Sequence, residues 1–493
     1  MAATALTDWL AHRLDRSSGQ PMYRQLYELL QSAILSGAMP ANAKVPSSRT
    51  LAVELGVARN TVTLVFEQLV LEGYLVAASG RGTFVAELGQ AAGIREQPAR
   101  PNRLPTVDQP FLSHRGRELF HGAVVFERHP GAFMPGVPDL TCFPTQIWAR
   151  LQMKHWRRPQ AIALSYAPPG GQSDLRNAIA NYVRTARSVR CSPSQVVVTT
   201  GNHQSIDLTI QLLTDPGDLI WTEDPCYWGT RSVLQASGLT LKAIPVDSEG
   251  ILPSSIDQQS PPKVILVTPS HQYPLGMAMS LRRRRLLLEY ASQHSCWIIE
   301  DDCNSEFRYE TKPLPSLQGM DESGRVLYIN SFSQSLFPGV RLGFVVVPPD
   351  LAPIFAIAST DLDREGQELH QAVLAQFLDE GYFNSHIRRM RALYRERRDL
   401  LVGAIKNRFG NELQIAGGDV GLHVTLLLPD HVDDRSVART AAEAGIVVRP
   451  LSVYFKNRSD SIRGILLGYA CVTNDDIEPD FAVLANILDD YLK

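Results

Sequence analysis

The sequence predicts an α/β chain carrying a small helix-rich head, and three observations carry that reading. From about residue 130, short apolar strands alternate with amphipathic helices, as in Gln195-Val-Val-Val-Thr-Thr200 before Asp207-Leu-Thr-Ile-Gln-Leu-Leu213. Val264-Ile-Leu-Val267 before the helical stretch 282–292 repeats the pattern, and such alternation builds a mostly parallel sheet. Residues 15–87 instead show helical periodicity and close in a glycine-punctuated hairpin. Between the two, residues 88–129 carry Pro98, Pro101, Pro105 and Pro110 with little apolar periodicity, the composition of a linker. The expected organisation is a head over 15–87, a linker over 88–129 and a large domain over 130–493.

Bulk properties bound the answer without naming it. At 493 residues the chain exceeds one hydrophobic core, and about two to three domains are expected. It is 44% hydrophobic, 20% charged and 8% aromatic, an ordinary globular composition. A net charge of −3 decides nothing about nucleic acid, since a small basic face can sit in a large neutral chain. Six scattered cysteines (Cys142, Cys191, Cys226, Cys296, Cys303, Cys471) show neither metal-ligand spacing nor disulfide density. The opening residues lack an apolar core of signal-peptide length and no later run is long enough to span a bilayer. A cytoplasmic protein with no membrane partner is the expectation.

Within the head, a first helix is expected over Met22–Leu35, with Leu26, Leu29, Leu30 and Ile34 on one face and Gly37 ending it. A second begins at Pro46-Ser47-Ser48-Arg49, where a serine can cap free amides, and runs to Leu55. Gly56-Val57 makes a tight turn. A third begins near Ala58-Arg59-Asn60-Thr61 and runs to about Leu71. Tyr74-Leu75-Val76 and Thr83-Phe84-Val85 read as strands around a Ser79-Gly80-Arg81-Gly82 tip. Helix, turn, helix and hairpin together make a winged helix-turn-helix, with Arg59, Asn60, Thr61 and Thr63 at the recognition helix's leading end. Arg49 and Arg81 are placed to meet phosphate or the minor groove. The alternative is a structural three-helix module, for residues 1–87 hold seven Lys/Arg against seven Asp/Glu. The run Val45-Pro-Ser-Ser-Arg-Thr-Leu-Ala-Val-Glu-Leu-Gly-Val-Ala-Arg-Asn-Thr-Val62, then Glu72-Gly-Tyr-Leu75 and Gly80-Arg-Gly-Thr-Phe84, resembles the GntR-type winged helix. That resemblance implies DNA contacts from Arg49, Arg59, Asn60, Thr61, Arg81 and Gly82.

The large domain carries long ordered motifs: Pro135-Gly-Val-Pro-Asp-Leu-Thr-Cys-Phe-Pro144, Tyr166-Ala-Pro-Pro-Gly-Gly171 and Thr268-Pro-Ser-His-Gln-Tyr-Pro-Leu-Gly276. Glu300-Asp-Asp-Cys-Asn-Ser-Glu-Phe-Arg-Tyr309, Ser331-Phe-Ser-Gln-Ser-Leu-Phe-Pro-Gly-Val-Arg-Leu-Gly-Phe344 and Gly381-Tyr-Phe-Asn-Ser-His-Ile-Arg-Arg-Met390 follow. With the head, they resemble the MocR (GabR-like) regulators, in which a GntR-type head is fused to a domain of the pyridoxal-phosphate (PLP) transferase, aminotransferase fold type I. The resemblance implies duplex DNA and a small-molecule effector as partners, PLP as cofactor, and a head-to-tail homodimer. Asp301 ends the strand Trp297-Ile-Ile-Glu300, at the edge where α/β sheets hold ligands, and a carboxylate there keeps a pyridine nitrogen protonated. A strand-end aspartate can otherwise be a plain cap. Ser331 and Arg341 correspond to phosphate ligands, and the turn Gly201-Asn202-His203 opens a helix, a ready anion site. Tyr227 matches the aromatic that stacks on the cofactor.

One residue breaks the pattern of the 331–344 run, and other departures accompany it. Where the resemblance implies the lysine that condenses with the cofactor aldehyde, this chain has Gln334, whose amide nitrogen is neither nucleophilic nor basic. Where it implies a tyrosine on the phenolic oxygen, the chain has Cys303. Pro274-Leu275-Gly276 stands for Pro-Thr-Gly, and Ile465-Leu-Leu-Gly-Tyr-Ala470 lacks the arginine that takes a substrate carboxylate. Two losses at one site point to drift of the whole aldehyde-binding chemistry, with no catalytic residue left and any PLP held non-covalently. No metal site is expected. Three readings stay open: a regulator sensing PLP or an amine or amino-acid effector, a working aminotransferase with a DNA-binding head, and a regulator whose pocket takes another ligand.

Overall fold

The structure is a computed structural model that describes residues 3–16, 18–78, 81–87, 112–113, 115–117, 119, 131–157, 165, 168–254, 257, 259–310, 314–363, 366–456 and 462–493. Most of the expected linker, and Ser79, Gly80, Tyr166 and Ala167 of the quoted motifs, lie outside the described residues. The chain divides into two compact units, Met1–Thr106 and Val107–Lys493.

In the first unit, α1 (Ala3–Ala11) precedes α2 (Met22–Leu35), β1 (Lys44–Val45), α3 (Ser48–Leu55) and α4 (Arg59–Leu71), and β2 (Leu75–Ala78) and β3 (Gly82–Val85) close it. The Ser47 hydroxyl caps α3 by accepting from Thr50 N at 3.1 Å. Gly56 ends α3 at φ 62, a left-handed turn that glycine adopts without a Cβ clash, and Val57 N then bonds back to Ala52 O at 3.0 Å. Leu26, Leu30 and Ile34 of α2 are buried against Val62, Val65, Phe66 and Leu69 of α4, while Leu29 is only half-buried. The strands order β1-β3-β2, all antiparallel. Two elements were missing from the sequence reading. The head begins before residue 15, because Leu6 and Leu10 of α1 are buried in this same core and Thr7 donates to Glu54 at 2.7 Å. The two-residue β1 extends the wing to three strands.

In the second unit, an eight-stranded sheet orders β4 (Val196–Thr199), β11 (Gly343–Val346), β10 (Val326–Ser331), β9 (Trp297–Asp301), β8 (Val264–Val267), β5 (Leu219–Asp224), β6 (Thr240–Asp247) and β7 (Gly250–Ile251). The run β10-β9-β8-β5-β6 is parallel, whereas β11 runs against both β4 and β10 and β7 against β6. Both sheet faces are covered, so the strands are continuous apolar runs whose side chains alternate between two cores. Val196, Val198, Tyr328 and Phe344 enter one core, and Val197, Leu327, Ile329 and Val345 the other. A second, antiparallel sheet orders β12 (Ile415–Gly417), β13 (His423–Leu427), β15 (Gly464–Gly468) and β14 (Arg449–Pro450), following the 28-residue helix Tyr382–Phe409. This is the α/β architecture the alternation predicts. No helix among the described residues is long and apolar enough to cross a membrane.

Candidate functional site: a cavity at the sheet edge and an exposed recognition helix

The parallel strands deliver their last residues to one edge: Glu223 and Asp224 from β5, Thr268 just past β8, Asp301 from β9 and Ser331 from β10. The turn after β4 arrives at the same edge, because β4 runs parallel to β10 through the intervening β11. A cavity of about 320 Å³ opens there. Every cofactor residue expected from sequence lines it: Asp301, Ser331, Arg341, Gly201, Asn202, His203, Tyr227 and Cys303, and Gln334 with them. Sequence reasoning missed Glu223, Thr268, His271, Tyr273, Asn304 and Ser333, which also line it. Glu223 and Tyr227 share a quoted motif, as do Thr268, His271 and Tyr273, but nothing in those strings marks which side chains turn inward.

One part of the cavity is cationic. Gly201, at φ 138, precedes the helix Asn202–Leu213, whose first-turn amides have no carbonyl partners within the helix. A Cβ on Gly201 would lie 3.9 Å from Arg341 Nη1, so the guanidinium sits against this positive helix end. Arg341 holds a left-handed backbone, φ 48, which non-glycine residues seldom adopt. Gly343 allows the approach, since a Cβ there would come within 2.7 Å of Gly201 Cα. Burial and the neighbouring Arg341 cation both hold His203 below the usual histidine range.

Another part is acidic. Asp301 Oδ1 accepts from Asn202 Nδ2 at 2.7 Å and from Cys303 N at 3.2 Å, while Oδ2 has no donor among the described residues. Burial, with the Asp302 charge beside it, pushes Asp301 up to about 7. Glu223, buried and hydrogen-bonded to Thr268 Oγ1 at 2.6 Å, is likewise pushed up to about 7 by desolvation. The two departures from the family pattern meet each other: the Cys303 thiol donates to Gln334 Oε1 at 3.4 Å. Burial and the Asp301 charge raise Cys303 well above the usual thiol range, so it stays a neutral donor. The lining contains no lysine; Lys456 donates to Leu241 O at 2.6 Å, and Lys312 lies outside the described residues. No cluster of metal-ligating side chains occurs among the described residues.

These carboxyls fix the sign of a pH dependence. Asp301 and Glu223 have folded values above their unfolded ones, so the stability they contribute is complete below the unfolded carboxylate range and is lost as pH rises through about 7. Buried His271, and His386 and His423 at about 4, act the other way and withdraw stability as pH falls below about 6.5. The melting temperature of ligand-free protein is therefore expected to rise as pH drops from about 8 to about 6.5, below which the carboxyls and histidines act in opposite directions. Glu223→Gln should flatten the upper limb, and a parent curve flat across that limb would contradict the assignment.

In the first unit, Arg49 stands exposed in the first turn of α3, Arg59 and Asn60 open α4 exposed with Thr61 half-buried, and Arg81 and Gly82 are exposed at the wing tip. The opposite side of α4 is buried, so its polar leading end is what the fold leaves facing water.

Comparison with known proteins matches residues 148–478 to the family "Aminotransferase class I and II" and residues 22–85 to "Bacterial regulatory proteins, gntR family". The probable rhizopine catabolism regulatory protein MocR of Rhizobium meliloti is 39% identical over 461 residues, 93% of this chain and 92% of that protein. The uncharacterized HTH-type transcriptional regulator YhdI of Bacillus subtilis (strain 168) is 33% identical over 466 residues, 94% and 95% of the two chains. Among solved structures, the multiple substrate aminotransferase from Thermococcus profundus superposes with TM-score 0.68 at 25% identity, covering 78% of this chain and 98% of that one. The likeness to MocR runs through head and large domain alike, and the chain belongs to the MocR group of GntR-family regulators, a winged helix-turn-helix DNA-binding domain fused to an aminotransferase-fold domain.

Proposed function

We propose that this regulator binds duplex DNA through its head and senses a vitamin B6 phosphate, held reversibly, in its large domain. The observation that carries the second half is that Gln334 lies in one cavity with Asp301, Ser331, Arg341 and the Gly201 turn, and no lysine among the described residues joins them. The donor set fits the cofactor. Arg341, Ser331 and the free helix amides suit a phosphate, and Asp301 Oδ2 suits a pyridine N–H. Tyr227, whose ring centroid lies 5.7 Å from that of Tyr273, offers a flat face to the ring. Bound there, the cofactor would supply an electron-withdrawing pyridine ring. The chain's own residues bind and orient, and at the position of the missing lysine nothing takes up a proton: Cys303 is held as a thiol and the Gln334 amide has no basic nitrogen. No transaminase turnover is expected; sustained amino transfer by contaminant-free protein would overturn that.

For the head, we read a homodimer engaging two half-sites, as helix-turn-helix dimers do. Arg59→Ala should weaken specific binding by about 1–3 kcal/mol and relax base preference. Arg49→Ala should weaken binding evenly across sequences and flatten its salt dependence. Mobility-shift titrations at several salt concentrations check both, and parental behaviour from both variants would remove the recognition helix from α4.

A further inference from the structure

Four side chains in the cavity wall hold polar atoms that nothing serves. Glu223, His271 and Asn304 are 2%, 3% and 4% exposed, yet Glu223 Oε1, Asn304 Oδ1 and both His271 ring nitrogens have no hydrogen-bond partner among the described residues. Asn202 Oδ1 is equally unserved, and its orientation is fixed because Nδ2 is committed to Asp301. Buried polar groups are otherwise almost always paired, so orphans gathered in one cavity describe the missing ligand. Their type is informative. Glu223, Asn304 and Asn202 present acceptors, a neutral His271 presents one acceptor and one donor, and Gln334 Oε1 has only the weakly donating Cys303 thiol, at 3.4 Å. Apart from the cationic cradle, acceptors outnumber donors among these unserved atoms, so the wall asks for a donor-rich and preferably cationic group, with Glu223, the carboxyl not assigned to the ring nitrogen, favouring positive charge.

We propose that the cavity is selective for the amine form of the cofactor, pyridoxamine 5′-phosphate, over the aldehyde form. The inference rests on the cofactor-pocket reading above and goes further, naming which form carries the signal. A protonated primary amine brings three N–H donors and no acceptor, whereas an aldehyde brings an acceptor alone and sets an oxygen among oxygens. In relatives with a lysine, the aldehyde is secured by a covalent link; Gln334 removes that link and leaves an amide carbonyl, an acceptor for the amine.

The test is equilibrium dialysis of the full-length protein at pH about 8, where both carboxyls are mostly ionised, against three probes. These are pyridoxamine 5′-phosphate, pyridoxal 5′-phosphate, and 4′-deoxypyridoxine 5′-phosphate, which has a bare methyl in place of the reactive substituent. The expected order puts the amine tighter than the deoxy analogue by about tenfold or more, with the aldehyde no tighter than the deoxy analogue. Gln334→Met, close in volume but without the carbonyl, should erase much of the amine's advantage over the deoxy analogue, and an advantage kept in full would overturn the role given to the carbonyl. Equal binding of all three overturns the selectivity alone. Failure of all three to bind overturns the cofactor pocket and the selectivity with it.

Discussion

Gln334→Lys is expected to convert a pocket that releases its cofactor on dialysis into one that retains it. The lysine amine and the cofactor aldehyde condense with loss of water, and borohydride then fixes the bond as a secondary amine, read as a stoichiometric mass increase on the intact protein. The surroundings favour the reaction. The side chain at 334 already faces the cavity beside the cradle residues, so a lysine amine there is held within reach of the aldehyde. The parent, offering only an amide, should gain no mass under the same treatment. Gln334→Lys with Cys303→Tyr should trap more completely, because a phenol supplies the oxygen hydrogen bond that the thiol makes poorly. A double variant that takes up no cofactor at any concentration would mean the cradle no longer binds phosphate, and the pocket would belong to another ligand.

The largest loss of stability is expected at a buried ion pair behind the cavity. Arg187, the last residue of the helix Ser173–Arg187, donates Nε to Asp302 Oδ2 at 2.6 Å and Nη2 to Asp302 Oδ1 at 2.9 Å. Its Nη2 also reaches Ser270 Oγ at 2.6 Å, and the pair's side chains are 3% and 0% exposed. Burial alone would raise Asp302, but the guanidinium outweighs it and holds the carboxyl below its usual range. Arg187→Ala leaves that charge in the core with hydroxyl donors, those of Tyr328 and Ser305 at 2.6 and 2.8 Å and that of Ser270. The expected cost is about 3–5 kcal/mol, a large part of a typical fold's stability. Adding Asp302→Asn should recover part of it, since the stranded charge disappears. Denaturant melts of the single and double variants decide the matter; a single variant within about 1 kcal/mol of the parent would show the pair to be dispensable. Because Asp302 follows Asp301 directly, the destabilised variant should also lose ligand.

How much of this could be read in the sequence follows from what sequence records. Helix caps and turns are local, and so Ser47, Gly56 and the leading end of α4 were legible residue by residue. The eight residues expected at the cofactor line one cavity because seven lie at a strand end or just after it, where parallel strands deliver them to one edge, and Arg341 arrives just before the antiparallel β11. The orphaned atoms of Glu223, His271 and Asn304 were not legible, because lacking a partner is a property of the packed interior. Nor was the Arg187–Asp302 pair, whose members lie 115 positions apart. The helix α1 escaped because nine residues are too few for periodicity or propensity to mark, and its stability comes from Leu6 and Leu10 entering a core built downstream. The thiol-to-amide bond between Cys303 and Gln334 shows what residue-by-residue comparison hides: two separate losses form one local pair.

Arg341 carries a consequence for signalling. The fold holds its guanidinium against the positive end of a helix, on a backbone angle that most residues avoid. Two like poles held together repel, and the phosphate proposed above would relieve that repulsion by neutralising both. A ligand shifts a conformational equilibrium only by the difference between its affinities for the two states, and an anion distinguishes sharply between a state that keeps these poles together and one that lets them part. On the proposed reading, the β10–β11 connection is where an arriving phosphate would first be felt, at the sheet edge, before any bond is made or broken.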